Sequence, residues 1–142
     1  MMTNTDITVY NRQFDKAQDK YIYLRTYLKG VNWQDSKGIR IAESGVVSDD
    51  RTRIFIPLDV DAEDKQYKKP KTYKRMDDKS LFYTLDNEDI VVKGIIDFDL
   101  TGNPGENVSS LQAKYDDVMV ITKVRDNRRG SRTIQHFELE VK

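Results

Sequence analysis

The sequence predicts a mainly β protein: a small β-barrel or sandwich of about six to eight antiparallel strands, with one short helix and a long loop. Three observations carry this. Stretches that alternate apolar and polar residues recur along the 142 residues, turn-forming compositions separate them, and only one window has helical spacing. Strands at this spacing, without intervening helices, argue against βαβ units. Residues 1–142 therefore read as a single β domain.

The first strand is expected over residues 6–10, as a short edge strand with Ile7 and Val9 on one face and Thr8 and Tyr10 on the other. Residues 11–19 are charged and turn-like. A long strand follows over 21–31, in which Tyr21, Tyr23, Arg25, Tyr27 and Lys29 alternate with an inward Ile22, Leu24 and Leu28. Gly30 interrupts it just before Val31 and Trp33, and a glycine inside a strand marks a bulge where a small sheet curls. That curl points to a barrel. The turn composition of Asp35, Ser36, Lys37 and Gly38 leads to Ile39 and Ile41, and a polar turn at 48–51 precedes a strand with Ile54 and Ile56 inward. Pro57 cannot donate to a ladder, so it ends that strand or lies on an edge.

Alternation then disappears over residues 58–80, which read as an extended charged loop. Residues 81–85 pair weakly, 86–89 form a turn, and 90–96 supply an apolar central strand. Helical spacing of Val108, Leu111 and Tyr115, with Asn107 or Ser109 as cap, predicts the helix. Residues 115–142 form a C-terminal β-hairpin. Its outgoing strand is expected to place Val118, Val120, Thr122 and Val124 on the core face, and its return strand Phe137, Leu139 and Val141.

Composition narrows the function. The chain has no cysteine and one histidine, which excludes a disulfide scaffold, a thiol nucleophile and thiolate zinc sites. Lys plus Arg and Asp plus Glu each number 24, so no net field draws the protein to nucleic acid or membranes. There is no apolar run of signal-peptide or transmembrane length, and the chain is expected to be made in the cytoplasm without membrane association.

Candidate chemistry is sparse. No GxSxG, P-loop, GxGxxG, HExxH or EF-hand spacing occurs, so no enzyme activity, catalytic residue, metal site or cofactor is expected. His136, beside Glu138, reads as a surface or interface histidine. The acidic group Asp59, Asp61, Glu63 and Asp64 lacks the glycine and distal glutamate of a calcium loop and reads as a solvated turn. The following run interleaves Lys65, Lys68, Lys69, Lys71, Lys74 and Arg75 with Tyr67 and Tyr73, the combination that phosphate neutralisation plus base stacking requires. These residues are the candidates for contact with DNA or a partner. Asn127, Arg128 and Arg129 form a candidate interface at the hairpin tip.

The stretches Ile7-Thr8-Val9-Tyr10-Asn11, Gly30-Val31-Asn32-Trp33, Ile54-Phe55-Ile56-Pro57, Glu88-Asp89-Ile90-Val91-Val92-Lys93-Gly94 and Val124-Arg125-Asp126-Asn127-Arg128-Arg129-Gly130-Ser131, continuing through Gln135-His136, resemble small prophage proteins encoded among capsid and head-tail connector genes. More distantly, the chain is similar to the head-closure (stopper) proteins of long-tailed bacteriophages. The resemblance implies a β-barrel subunit of a ring beneath the portal, in the virion, with residues 58–80 as a loop near the DNA channel or a neighbour. Portal, adaptor and tail proteins would be its partners, and it would act by protein-protein contacts. A minor capsid or tail-terminator component is the alternative within the virion. From another class, an OB-like single-strand-binding protein would stack bases on Tyr67 and Tyr73, with Tyr21, Tyr23 and Tyr27 on a sheet face.

Overall fold

The computed structural model describes residues 2–36, 39–43, 45–48, 51–128 and 135–142. In chain order the elements are β1 (Thr5–Asp15), β2 (Lys20–Ser36), β3 (Ile39–Ala42), β4 (Gly45–Ser48), β5 (Arg51–Pro57), β6 (Gln66–Tyr67), α1 (Pro70–Arg75), β7 (Phe82–Tyr83), β8 (Ile90–Lys93), α2 (Val108–Lys114), β9 (Val118–Asn127) and β10 (His136–Val141). Six strands close into an antiparallel barrel in the order β1-β2-β5-β10-β9-β8, with β8 pairing back onto β1. The mainly β barrel with a short helix is therefore present as expected. β3 and β4 form a separate hairpin, and β6 and β7 a two-residue parallel pair.

Closure depends on a long, bent β2. It pairs with β1 up to Val31 and with β5 from Asn32 onward, so one strand serves two neighbours in succession. The change falls at Gly30, whose φ of 91° lies where a side chain would be strained. There the register skips one residue, Thr5 opposing Val31 while Asp6 opposes Lys29. The bulge expected from this glycine is present.

Two strand expectations are corrected. β1 is neither short nor an edge: it continues to Asp15 and is held on both sides, by β2 and, over Ile7 to Tyr10, by β8. Its polar second half obscured this, although backbone pairing does not require apolar side chains. In β9 the expected core face switches midway. Ile121 opposes Val141 while Lys123 opposes Glu140, which leaves Thr122 as an extra residue that reverses the parity. Ile121 and Met119 consequently face the interior before the bulge and Val124 after it.

The interior is filled by the chain's own side chains. Ile7, Val9, Leu28, Val31, Trp33, Ile54, Ile56, Val91, Ile121, Phe137, Leu139 and Val141 are all buried there, each large aliphatic contributing about 1.5–3 kcal/mol of transfer free energy. The crossover from β5 to β8 adds Ala62, Tyr83 and Leu85 to the same core. A second, smaller core lies outside the barrel wall. There Tyr10, Ile90 and Val92, on the outward face of β1 and β8, are covered by Ile96, Leu100 and Leu111. Gly94, at φ 93°, turns the chain back over the wall, and Thr8 fastens it by donating to the Gly94 carbonyl (2.8 Å) and accepting from Ile96 N (3.1 Å). α2 begins at the expected Asn107, whose side chain accepts from Ser110 N (2.9 Å).

The expected extended loop of residues 58–80 is also corrected. It contains β6 and α1 and bonds to the barrel through Lys29 N and the Asp61 carbonyl (2.8 Å). Pro70 at the first helical position starts α1, and Lys74 and Arg75 suit its C-terminal turn.

Candidate functional site

The β1–β2 hairpin outgrows the barrel. β1 has β8 beside it only as far as Tyr10, and β2 gains β5 only from Asn32, so beyond Asn11 and Leu24 the hairpin has no lateral strand. Pleating places Arg12, Phe14, Tyr21 and Tyr23 on one face of this projection. Phe14 is 50% exposed and Tyr21 47%. Their rings meet edge to face at 5.3 Å, and the Arg12 guanidinium lies 4.2 Å from the Tyr21 centroid while pairing with Glu88. An exposed aromatic pair therefore stands near the tip.

Beside it runs an open groove of about 990 Å³, bounded by the hairpin, by residues 74–80 and by residues 98–103. Lys65 crosses its floor, donating from Nζ to the Arg25 carbonyl (2.8 Å) and to Thr26 Oγ1 (3.0 Å). Burial there lowers the Lys65 pKa. On the other wall Arg25 reaches the Phe98 carbonyl and Asp99, each at 3.1 Å.

A buried polar network supports the base of the hairpin. Asp89, 2% exposed, accepts from Arg12 N (2.9 Å) on Oδ1 and from Asn11 Nδ2 (2.9 Å) and Asp86 N (3.1 Å) on Oδ2. Asn11 also donates to the Thr84 carbonyl (2.6 Å). Desolvation outweighs these bonds and pushes the Asp89 carboxyl up to about 6.

The basic run selected from sequence is divided by the fold. Lys69, Lys71, Lys74 and Arg75 stay on the surface, with Lys74 Nζ 3.6 Å from Asp86. Lys65 is the tether just described, and Lys68 lies over the Phe82 ring at 5.3 Å. Tyr73 is only 1% exposed, its hydroxyl pushed up to about 12 by burial, and Tyr67 packs on Phe137 (4.5 Å) and Tyr83 (5.8 Å). Neither ring offers the open face base stacking needs, which corrects the reading of this run as a stacking platform. On the sheet face Tyr27 is tied to the Ile96 carbonyl (2.7 Å) and Tyr23 is half-buried, which leaves Tyr21 as the exposed tyrosine of the three.

At the other hairpin, Arg128 folds back onto Asp126 through Nε (2.7 Å) and its terminal nitrogen (2.6 Å). Asn127 Nδ2 lies 3.2 Å from His136 Nε2, whose ring stacks at a tilt against Phe55 (5.5 Å). Arg129 lies outside the described residues. In the acidic group, Glu63 pairs with Lys29 (3.2 Å) and Asp61 accepts from Glu63 N (3.0 Å), so the turn is locked to β2. The sequence did not single out Arg12, Phe14, Asn11 or Asp89. The alternation of Arg12 with Phe14 would have marked the tip once β1 was extended, whereas nothing local signals the pairing of Asn11 with Asp89.

Fold and site together define a small antiparallel barrel whose interior is packed and whose exposed aromatic pair, Phe14 and Tyr21, lies on a projecting hairpin. The chain belongs to the family described as "Family of unknown function (DUF6751)", which it matches over residues 2–142. No curated protein and no solved structure matches it.

Proposed function

We propose that the protein is a bacteriophage virion structural subunit of the head-closure or connector type, joining a ring at the head-tail junction through protein-protein contacts rather than through chemistry. The observation that carries this is the projecting β1–β2 hairpin, with Phe14 and Tyr21 half exposed on a barrel whose interior is already filled. A packed barrel offers its surface, and an exposed aromatic pair beside an arginine is the composition that anchors interfaces. Balanced charge at high density, 24 cations against 24 anions, suits stacked rings in which charged rims fix register. The sequence resemblance to prophage connector proteins supplies the specific junction.

The test is light scattering of the purified protein with and without a portal or adaptor ring, alongside anisotropy titrations with single- and double-stranded DNA at low and moderate salt. Association with the ring and little DNA affinity at physiological salt are expected. Tight DNA binding that weakens steeply with salt, without ring association, would overturn the proposal.

A further inference from the structure

The groove beside the β1–β2 hairpin and the acidic turn after β5 are opposite in charge and alike in pattern. Six cations line the groove against three carboxylates. Asp99 is engaged by Arg25 (3.1 Å), whereas Lys16, Lys20 and Lys79 have no carboxylate partner among the described residues. The Lys20 ammonium meets the neutral Asn103 amide (3.2 Å) and that of Lys79 the Met76 carbonyl (2.5 Å). Ile22 and Leu24, each only partly buried, form an apolar strip between these charges.

On the turn, Asp59, Asp61, Glu63 and Asp64 are all exposed, and Leu58 stands beside them with 37% of its surface open. Glu63 pairs with Lys29 (3.2 Å), while Asp59 and Asp64 have no cation partner among the described residues. Within one chain the turn and the groove are kept apart. Lys29 N donates to the Asp61 carbonyl (2.8 Å) and the Lys29 ammonium holds Glu63, which pins the turn to that part of β2. Lys20 lies about 30 Å back along the same strand. The turn can therefore fill such a groove only on another molecule.

We infer that the acidic turn of one copy seats in the groove of a second copy, with Leu58 against Ile22 and Leu24, and Asp59 and Asp64 against Lys16, Lys20 and Lys79. The two surfaces differ, so the contact is head-to-tail and repeats from copy to copy, closing into a ring where the rotation allows. Opposite charges across it fix register and reject the wrong face. The inference rests on the assembly reading and deepens it by naming the surfaces through which subunits meet.

Sedimentation equilibrium of the purified full chain is the measurement. At low salt the mass should rise past that of a dimer as concentration approaches about 1 mM, and association should weaken at least tenfold between about 50 mM and about 500 mM salt. Lys16→Glu/Lys20→Glu and Asp59→Lys/Asp64→Lys should each weaken it at least tenfold. The chain carrying all four substitutions should regain it, because the charges are then exchanged on both sides. Circular dichroism checks that each variant keeps its sheet; Asp59→Lys alone, which leaves Asp64 at its φ of 69°, should still show at least threefold loss if the fuller change impairs folding. A monomer at about 1 mM, a mass that stops at the dimer, association indifferent to salt, or no recovery in the fourfold variant would overturn the inference. A chain that stays monomeric yet loses binding to a portal or adaptor ring on Lys16→Glu/Lys20→Glu would also overturn it, by assigning the groove to a different protein. That outcome leaves the assembly proposal standing on its own test.

Discussion

Replacing Asp89 with alanine removes the acceptor shared by Arg12 N, Asp86 N and Asn11 Nδ2. Asn11 keeps the Thr84 carbonyl, so the two backbone donors bear the loss, at about 1–3 kcal/mol each. Opposing this is the relief of a buried charge. The carboxyl titrates near 3.8 when solvated and at about 6 in the folded protein. At about 1.4 kcal/mol per pH unit between those values, ionising it in the fold costs about 3 kcal/mol. The folded chain thus holds this proton more tightly than the unfolded chain. The contribution of Asp89 to stability is greatest below pH 3.8, declines as pH rises toward about 6 and is flat above.

Asp89→Ala should accordingly be destabilising by about 2–6 kcal/mol near pH 4 and by about 2.4 kcal/mol less at pH 7. Urea unfolding of both proteins from pH 4 to pH 8 measures the difference directly, and taking the difference cancels carboxylates common to both. A constant difference across that range would refute the claim that desolvation dominates at Asp89. A difference that grew with pH would mean that the ionised form is the stabilising one.

Other perturbations probe the remaining supports. Lys65→Met removes both bonds to β2 and should lower stability by about 1–2 kcal/mol, with faster amide exchange in residues 61–68 than elsewhere. Gly30→Ala places a side chain at φ 91° with nothing nearer than Thr3 at 3.9 Å, so strain rather than collision should cost about 1–3 kcal/mol, read by thermal unfolding. Leu139→Ala, in the middle of the filled barrel, should lose about 2–5 kcal/mol in urea without a change of secondary structure by circular dichroism.

Much of the barrel was legible because burial on one face imposes a period of two. Phe137, Leu139 and Val141 were assigned to the core from alternation alone, and all three are buried. Gly30 announced the bulge and Asn107 the helix cap, since each residue type satisfies a local backbone requirement. Elements set by distant pairing were less legible. The second half of β1 is polar because it projects, and the parity change in β9 depends on Thr122 being passed over by its partner strand. α1 was hidden by its lysines, whose solvated side chains look the same on a loop as on a helix of six residues. Tyr73 was read as a ligand platform because composition cannot show which way a ring points.

The barrel's strand order also governs how the chain can fold. β1 and β2 meet through a turn of four residues, and β8, β9 and β10 follow one another, so both halves form from nearby chain. The seam between β1 and β8 joins Ile7 to Lys93, across β2 to β7 and the helix α1 that lies between them in the chain. Loop-closure entropy makes such a junction slow relative to the hairpins. Until residue 93 arrives, Ile7 and Val9 have only one flanking strand, and the tyrosine-rich outer surface around Tyr10 is uncovered. Synthesis from the amino terminus therefore leaves this sheet margin waiting for its mate, and the interval before the seam closes is when the chain is most open to pairing with a copy of itself.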